Sequence, residues 1–357
     1  MKSNYDILGN HIRLIDTRNR ESITDRVLGI NIDKFFMPSV ANVIGTDLSK
    51  YKLITKGKFA CNPMHVGRDE RLPVALYDEE KPAIVSPACF MFEVVDNSIL
   101  NEDYLMMWFR RPEFDRICWL HTDGSVRGGI TWDDICRLEL PIPPIENQLE
   151  IVNSYKAITE RIALKQKIND NLDDTAQTLY QKYFESNSDK SSWKQGTVGD
   201  VLQLQRGHDL PRTEMTGGKY PVAGSTGTIG YHDEFTAEAP VIVMGRSGNI
   251  GNPRLYLCNC WTHNTSLYVK QIYEAEPLWV FYLLKNLNYD GFVGGSAVPT
   301  LNRNDVHAYG IAIPPLELQK SFSQKVMSLI YCKEENLSEI EKLQELQKII
   351  LTTMSSR

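Results

Sequence analysis

Pro141-Ile142-Pro143-Pro144-Ile145-Glu146-Asn147-Gln148 returns 171 residues later as Ile313-Pro314-Pro315-Leu316-Glu317-Leu318-Gln319. In both copies a Pro-Pro pair ends an apolar segment and opens a long polar–apolar periodic run. Proline fixes φ and lacks an N–H, so the pair stops a strand and suits the first turn of a helix. The plan is therefore a globular unit, a proline-marked helix start, a long helix, and then the same again.

The run behind the first copy, residues 145–186, holds no glycine and no proline. Ile151, Tyr155, Ile158, Ile162, Leu172, Ala176, Leu179 and Tyr183 fall at alternating four- and three-residue steps, with Lys165 and Asn169 in the middle of the seam. That spacing predicts one long helix with a coiled-coil seam, whose polar positions fix register at some cost in stability. At 1.5 Å per residue it would be roughly 60 Å long and would need a packed partner in water. Carrying the offset forward places Phe322, Val326, Leu329, Ile340, Leu343, Ile350 and Met354 on an equivalent seam, with Lys333, Asn336 and Gln347 as its polar members. Two helices of equal length and register in one chain are natural partners for each other.

Outward from the helices, residues 1–144 and 193–315 read as two α/β (α+β) domains, with a polar linker at 187–192 and helices at 145–186 and 316–357. In the first domain Lys52–Thr55, Pro82–Ser86 and Phe90–Val95 carry strand-like β-branched and apolar runs. Leu105–Phe109 predicts an apolar helix ended at Pro112. In the second, Leu278–Leu284 matches that helix, and glycine-punctuated runs at 223–231 and 241–251 predict strands joined by tight turns. Without gaps, Gly124-Ser125 falls on Gly295-Ser296, Ile130 on Leu301, Asp134 on Asp305 and Ile135 on Val306. The period is far beyond solenoid lengths, so the chain is a duplicated domain plus helix.

A length of 357 residues with 42% hydrophobic and 24% charged residues is ordinary for a globular protein with two cores. Seven scattered cysteines suggest reduced thiols and a cytoplasmic location. No run approaches the ~18 apolar residues of a membrane span, and no secretory h-region is visible. The net charge is −6, with 18 basic and 21 acidic residues over 1–144, and 9 and 10 over 193–315. No segment is a basic tail, so nucleic acid would be met by local patches on folded domains.

Catalytic signatures are missing: there is no GxxxxGK[ST], HExxH or GxSxG, and no Pro-Pro-aromatic tetrapeptide of the adenine-methyltransferase kind. Cys258, Cys260 and His263 have no clear fourth ligand and sit in a strand-like run, so no metal site is assigned. The chain reads as non-catalytic and without a cofactor of its own. Gly245-Arg246-Ser247-Gly248-Asn249 suits either a phosphate-holding loop or a plain hairpin turn, with spacing favouring the turn. Arg68 and Arg71 have acids beside them, and pairing with those is the simpler reading.

The paired Ile-Pro-Pro-(Ile/Leu)-Glu-x-Gln segments resemble the specificity (S) subunits of Type I restriction–modification systems. In the second domain Gly227–Tyr231, Val243–Gly251 and Trp261–Val269 are similar to that family's target recognition domains. The first domain is less typical at its start, although Ile84-Val85-Ser86-Pro87 fits. The resemblance implies two target recognition domains separated by two long antiparallel helices, a coiled coil with a pseudo-twofold internal repeat. It implies that each domain reads one half of a bipartite, asymmetric site on double-stranded DNA, and that the helices dock two modification (methyltransferase) subunits. S-adenosylmethionine, ATP and Mg would then belong to those partners and to joining restriction subunits. A related system with a fused methyltransferase–nuclease partner is the runner-up, and a coiled-coil adaptor that binds proteins rather than DNA is the reading from another class. Within a DNA-binding chain the loop residues chemically suited to bases and phosphates are Arg68, Arg71 and Arg127 in the first domain. In the second they are Arg206, Arg212, Lys219, Arg246 and Asn249.

Overall fold

The computed structural model describes residues 4–64, 66–122, 128–289, 292–294 and 300–354. Gly124-Ser125, Gly295-Ser296 and Arg127 lie outside the described residues. The chain forms two compact units, one from Met1–Leu164 with Glu339–Arg357 and the other from Lys165–Ser338. Each unit thus takes a recognition-type domain together with part of both long helices, Ile145–Tyr180 and Leu316–Thr353.

In the first unit Tyr5–Ile7 pairs antiparallel with Glu139–Pro141, so the start of the domain is tied to the strand that leads into Pro143-Pro144. An antiparallel sheet follows in the order Ile12–Ile15, Phe90–Val94, Lys58–Cys61, Val74–Tyr77. A second sheet runs Phe36–Pro38, Val27–Ile30, Ala83–Val85, Lys52–Ile54, with Val27–Ile30 parallel to Ala83–Val85. Asn101 caps the helix Glu102–Phe109 by accepting the Tyr104 N–H at 3.1 Å. Residues 104–109 of that helix are all buried, which explains its unbroken apolar run. Pro112 does more than end it. At the N-terminal turn of Pro112–Leu120 it opens a further helix, because a missing N–H costs nothing there. Phe59, Phe92, Phe109 and Phe114 pack at centroid distances of 4.8 to 6.1 Å in the core of this unit.

The second unit repeats the design strand for strand. Lys194–Thr197 pairs with Gly310–Ile313, and the main sheet runs Leu202–Arg206, Ser266–Ile272, Val241–Gly245, Gly251–Tyr256. The smaller sheet again has a hairpin, Tyr220–Gly224 with Gly227–His232, whose first strand lies parallel to Trp261–Thr262. The first unit, whose sequence is the less typical, adds Lys52–Ile54 to this sheet and, among its described residues, the helices Val66–Asp69 and Pro112–Leu120. The segment 187–192, expected as a linker, is ordered locally: Asn187 accepts the Asp189 N–H and starts a 3-10 turn, Ser188–Ser192.

His307 ties the second unit together by accepting the Leu204 N–H on Nε2 at 2.8 Å, and burial holds its pKa below the ordinary histidine value of 6.5. A base with a lowered folded pKa stabilises fully above its unfolded pKa, and that contribution is lost as pH falls from about 6.5 toward the folded value. The unfolding midpoint of the second unit should therefore drop as pH falls below about 6.5. In a His307→Gln variant, followed by hydrogen exchange at the Leu204 amide, that part of the pH dependence should vanish.

Within each unit the long helices run antiparallel. In the first, Ile158, Ile162, Ile340 and Leu343 form one cluster, Ile151, Tyr155 and Ile350 pack against the domain core, and Gln347 Nε2 donates to Thr159 Oγ1 at 2.7 Å. In the second, Leu179, Phe322, Val326 and Leu329 join the core, and Leu172 is half-buried. Lys165 Nζ donates to Asn336 Oδ1 at 2.8 Å, and Asn336 Nδ2 to Asn169 Oδ1 at 2.9 Å, so the polar seam residues find each other. Lys333 pairs with Asp173 at 2.5 Å.

Candidate nucleic-acid interface

Sheet pairing in the second unit gathers three arginines that are far apart in sequence. Arg206 ends its strand opposite Leu267, and Arg246 follows the strand that pairs with the same edge residues, Leu267 and Ser266. The Leu301 N–H donates to the Arg246 carbonyl at 2.8 Å, which brings Arg303, the first residue of the helix Arg303–His307, alongside. Arg206, Arg246 and Arg303 line one open pocket of about 460 Å³ with Leu267, Thr300, Leu301 and Asn302, and no carboxylate is in its lining. Arg206 Nε reaches the Asn264 carbonyl at 3.3 Å and its guanidinium stands 3.9 Å from Asp209. Among the described residues the Arg246 and Arg303 side chains have no hydrogen-bond or ion-pair partner. Three fixed cations around one concavity raise the local potential for an anion even though the whole chain is acidic.

The loop that carries Arg246 is set by its glycines. A Cβ on Gly245 would lie 1.5 Å from the Asn249 carbonyl oxygen, and Gly248 has φ +78°, where side chains are strained. Asn249 is spent on closing this loop: its Nδ2 donates to the Ser225 carbonyl at 3.1 Å and its Oδ1 accepts from Asn252 at 2.8 Å. It serves as scaffold to Arg246. Arg212 and Lys219 are exposed and stand outside the pocket, Lys219 with its ammonium 4.8 Å from the Tyr220 ring centre.

The first unit differs. Arg68 makes a bidentate pair with Asp69 at 2.6 and 2.9 Å, and that carboxylate raises its pKa further. Arg71 pairs with Asp33 at 2.7 Å, 38 residues away, and not with an adjacent acid. The cleft that holds Arg71 has Lys34, Arg110 and Arg116 matched by Asp33, Asp69, Glu70 and Asp115. Cations held this way attract a phosphate less than those around Arg246. Cys260 is buried, its thiol pushed up to about 12, while His263 contacts Thr265 Oγ1 and the Leu210 carbonyl. Among the described residues no group of three or more His, Cys, Asp or Glu is placed to hold a metal. Nor is any described helix long and apolar enough to cross a membrane.

Sequence reasoning missed Arg303. Its only local sign is Asn302, whose side chain caps the helix by accepting the Asn304 N–H at 3.0 Å. Its closeness to Arg206 is a product of sheet pairing.

Residues 190–349 match the family model described as Type I restriction modification DNA specificity domain. The same fold is built twice, so the half of the chain that the model does not reach has the architecture of the half that it does. Residues 190–349 thus carry a Type I restriction–modification DNA specificity domain, and the chain as a whole is similar to specificity subunits of that system. A protein of Methanocaldococcus jannaschii named for the specificity subunit of the type I restriction enzyme MjaX is 22% identical, over 98% of this chain and 88% of its own length. The crystal structure of a Type I restriction–modification S subunit from M. genitalium shares the fold at a TM-score of 0.61 and 16% identity, covering 99% of this chain and 96% of that one. A chain from a structural study of complex assembly and conformational transition in the type I system gives 0.51, also at 16% identity, over 98% and 97%. The chain thus pairs a duplicated fold with a cationic pocket in the domain that the family model matches.

Proposed function

We propose that this specificity subunit supplies the DNA address of a Type I complex and leaves the chemistry to its partners. One fold built twice on dissimilar sequences carries this reading, since two such domains can read two different half-sites of an asymmetric, bipartite target. The long helices hold exposed Leu149, Leu164, Tyr331, Leu346 and Ile349, apolar surface of the kind that partner subunits cover. Two modification subunits that bind S-adenosylmethionine would dock there and methylate adenine, with restriction subunits joining them. The runner-up, a fused methyltransferase–nuclease partner, asks the same of this chain.

Mapping N6-methyladenine in host genomes with and without this gene tests the reading. A two-part motif that disappears with the gene is expected, and an unchanged methylome would sink the proposal. The Arg206–Arg246–Arg303 pocket gives a second, quantitative test in the assembled complex. Each lost phosphate contact flattens the plot of log affinity against log salt by about 0.9. Replacing all three arginines by alanine should therefore make that slope shallower by about 2 to 3, measured by anisotropy titrations at several salt concentrations. An unchanged slope would remove the pocket from the interface.

A further inference from the structure

The glutamine that closes both copies of the Pro-Pro motif does the same work twice. Gln148 is 0% and Gln319 1% exposed, although each lies in the first turns of a long, largely solvated helix. Gln148 Nε2 donates to the carbonyls of Pro143 and Ile99, both at 2.8 Å, and its Oε1 accepts the Asn101 N–H at 2.9 Å. Gln319 Nε2 donates to the Pro314 carbonyl at 2.8 Å, and its Oε1 accepts the Glu276 N–H at 2.9 Å. Asn101 and Glu276 are in turn the capping residues of the two apolar helices, Glu102–Phe109 and Pro277–Lys285. Each amide therefore bridges the proline pair at the start of the long helix to the start of the domain's central helix. It does so in two units whose surrounding sequences differ. A leucine or methionine would fill the same space, so packing alone does not call for an amide. A buried amide is tolerated only when its hydrogen bonds are made, and it holds its partners in one geometry.

We propose that Gln148 and Gln319 are positioning residues that lock each recognition domain to its long helix and thereby fix the spacing at which the two half-sites are read. The proposal rests on the bipartite-site reading above. Without the lock each domain keeps its own base contacts but pivots on the proline pair. Half-site preference then persists while spacer discrimination fades.

The test uses the full chain assembled with its modification subunits and a panel of DNA sites with the native spacer and with one base pair added or removed. For Gln319→Met, methylation of the altered-spacer sites relative to the native one should rise about tenfold, a loss of about 1.4 kcal/mol of discrimination. Half-site base preference should stay as in the wild type. Unchanged spacer discrimination in the folded variant, or altered half-site preference, overturns the proposal. Should Gln319→Met leave the second domain unfolded, Glu276→Pro is measured for the same two outcomes, because it removes the N–H that Gln319 accepts and keeps the glutamine. A wild-type complex that ignores spacer length altogether would overturn the bipartite reading itself, and this proposal with it.

Discussion

Asp115→Ala is expected to cost the first unit about 3–5 kcal/mol, the usual price of stranding one member of a buried ion pair. Asp115 Oδ1 accepts Lys34 Nζ at 2.6 Å and the Leu72 N–H at 3.1 Å, while Lys34 Nζ also donates to the Leu72 carbonyl at 2.9 Å. Both side chains are nearly out of solvent, at 5% and 12% exposure. Lys34 further lies 4.8 Å from the Phe114 ring centre. Its backbone is left-handed, with φ +68°, in the turn between Val27–Ile30 and Phe36–Pro38, a conformation that disfavours lysine. Burial already holds the Lys34 pKa below the ordinary lysine value, with Asp115 pulling it back up. Removing Asp115 takes away the largest influence that opposes burial. The variant's stability should then climb with pH as far as the unfolded lysine pKa of about 10.4. Denaturant unfolding with hydrogen exchange at the Leu72 amide reads both effects. In a double-mutant cycle, Lys34→Met combined with Asp115→Leu should cost less than either single change. Additive losses would show that the pair does not act as one.

Ending the chain after Ser338 is expected to unfold the first unit and to spare the second. The segment Glu339–Arg357 belongs to the first unit. It brings Ile340, Leu343 and Met354, at 6%, 8% and 4% exposure, against the first long helix and the core around Val152. Three such side chains carry roughly 5–9 kcal/mol of apolar burial, which matches the whole stability of a typical domain. Circular dichroism should show a lost unfolding transition. Hydrogen exchange should place that loss in strands such as Phe90–Val94, while Val241–Gly245 stays protected. Equal loss in both units would contradict the division.

What was legible in the sequence was local. The Pro-Pro pairs and the four–three spacing behind them specify helix starts and a seam within one stretch of chain, and both long helices begin directly after their proline pair. The strands at 52–54, 83–85 and 90–94 follow from β-branched and apolar runs in the same way. Pro112 is legible only in part: its power to stop a helix is plain, but its place at the start of Pro112–Leu120 depends on Phe114 and Cys118 finding a core. The site was less legible because it is assembled by pairing. Arg206 and Arg246 meet at the ends of strands that share a neighbour, Arg303 joins them from the start of a helix, and Arg71 finds Asp33 38 residues away. Composition could nominate arginines but could not tell the paired from the unpaired ones. The hydrogen-bonding role of the motif glutamines is invisible in the sequence, because their partners Asn101 and Glu276 lie 47 and 43 residues upstream.

The division of Glu339–Arg357 from the helix half that precedes it also sets an order of events on the ribosome. Every residue of the second unit has been made before Glu339 is added, whereas the first unit still lacks its closing helix segment. At about 5–20 residues per second, the 19 positions from Glu339 to Arg357 take on the order of 1–4 s. Until that segment is made, the domain translated first waits with Val152, Ile158 and Ile162 uncovered, although its own strands were synthesised long before. The domain translated first therefore cannot close until residues far downstream of it have been made, and its open seam is where a chaperone would be needed.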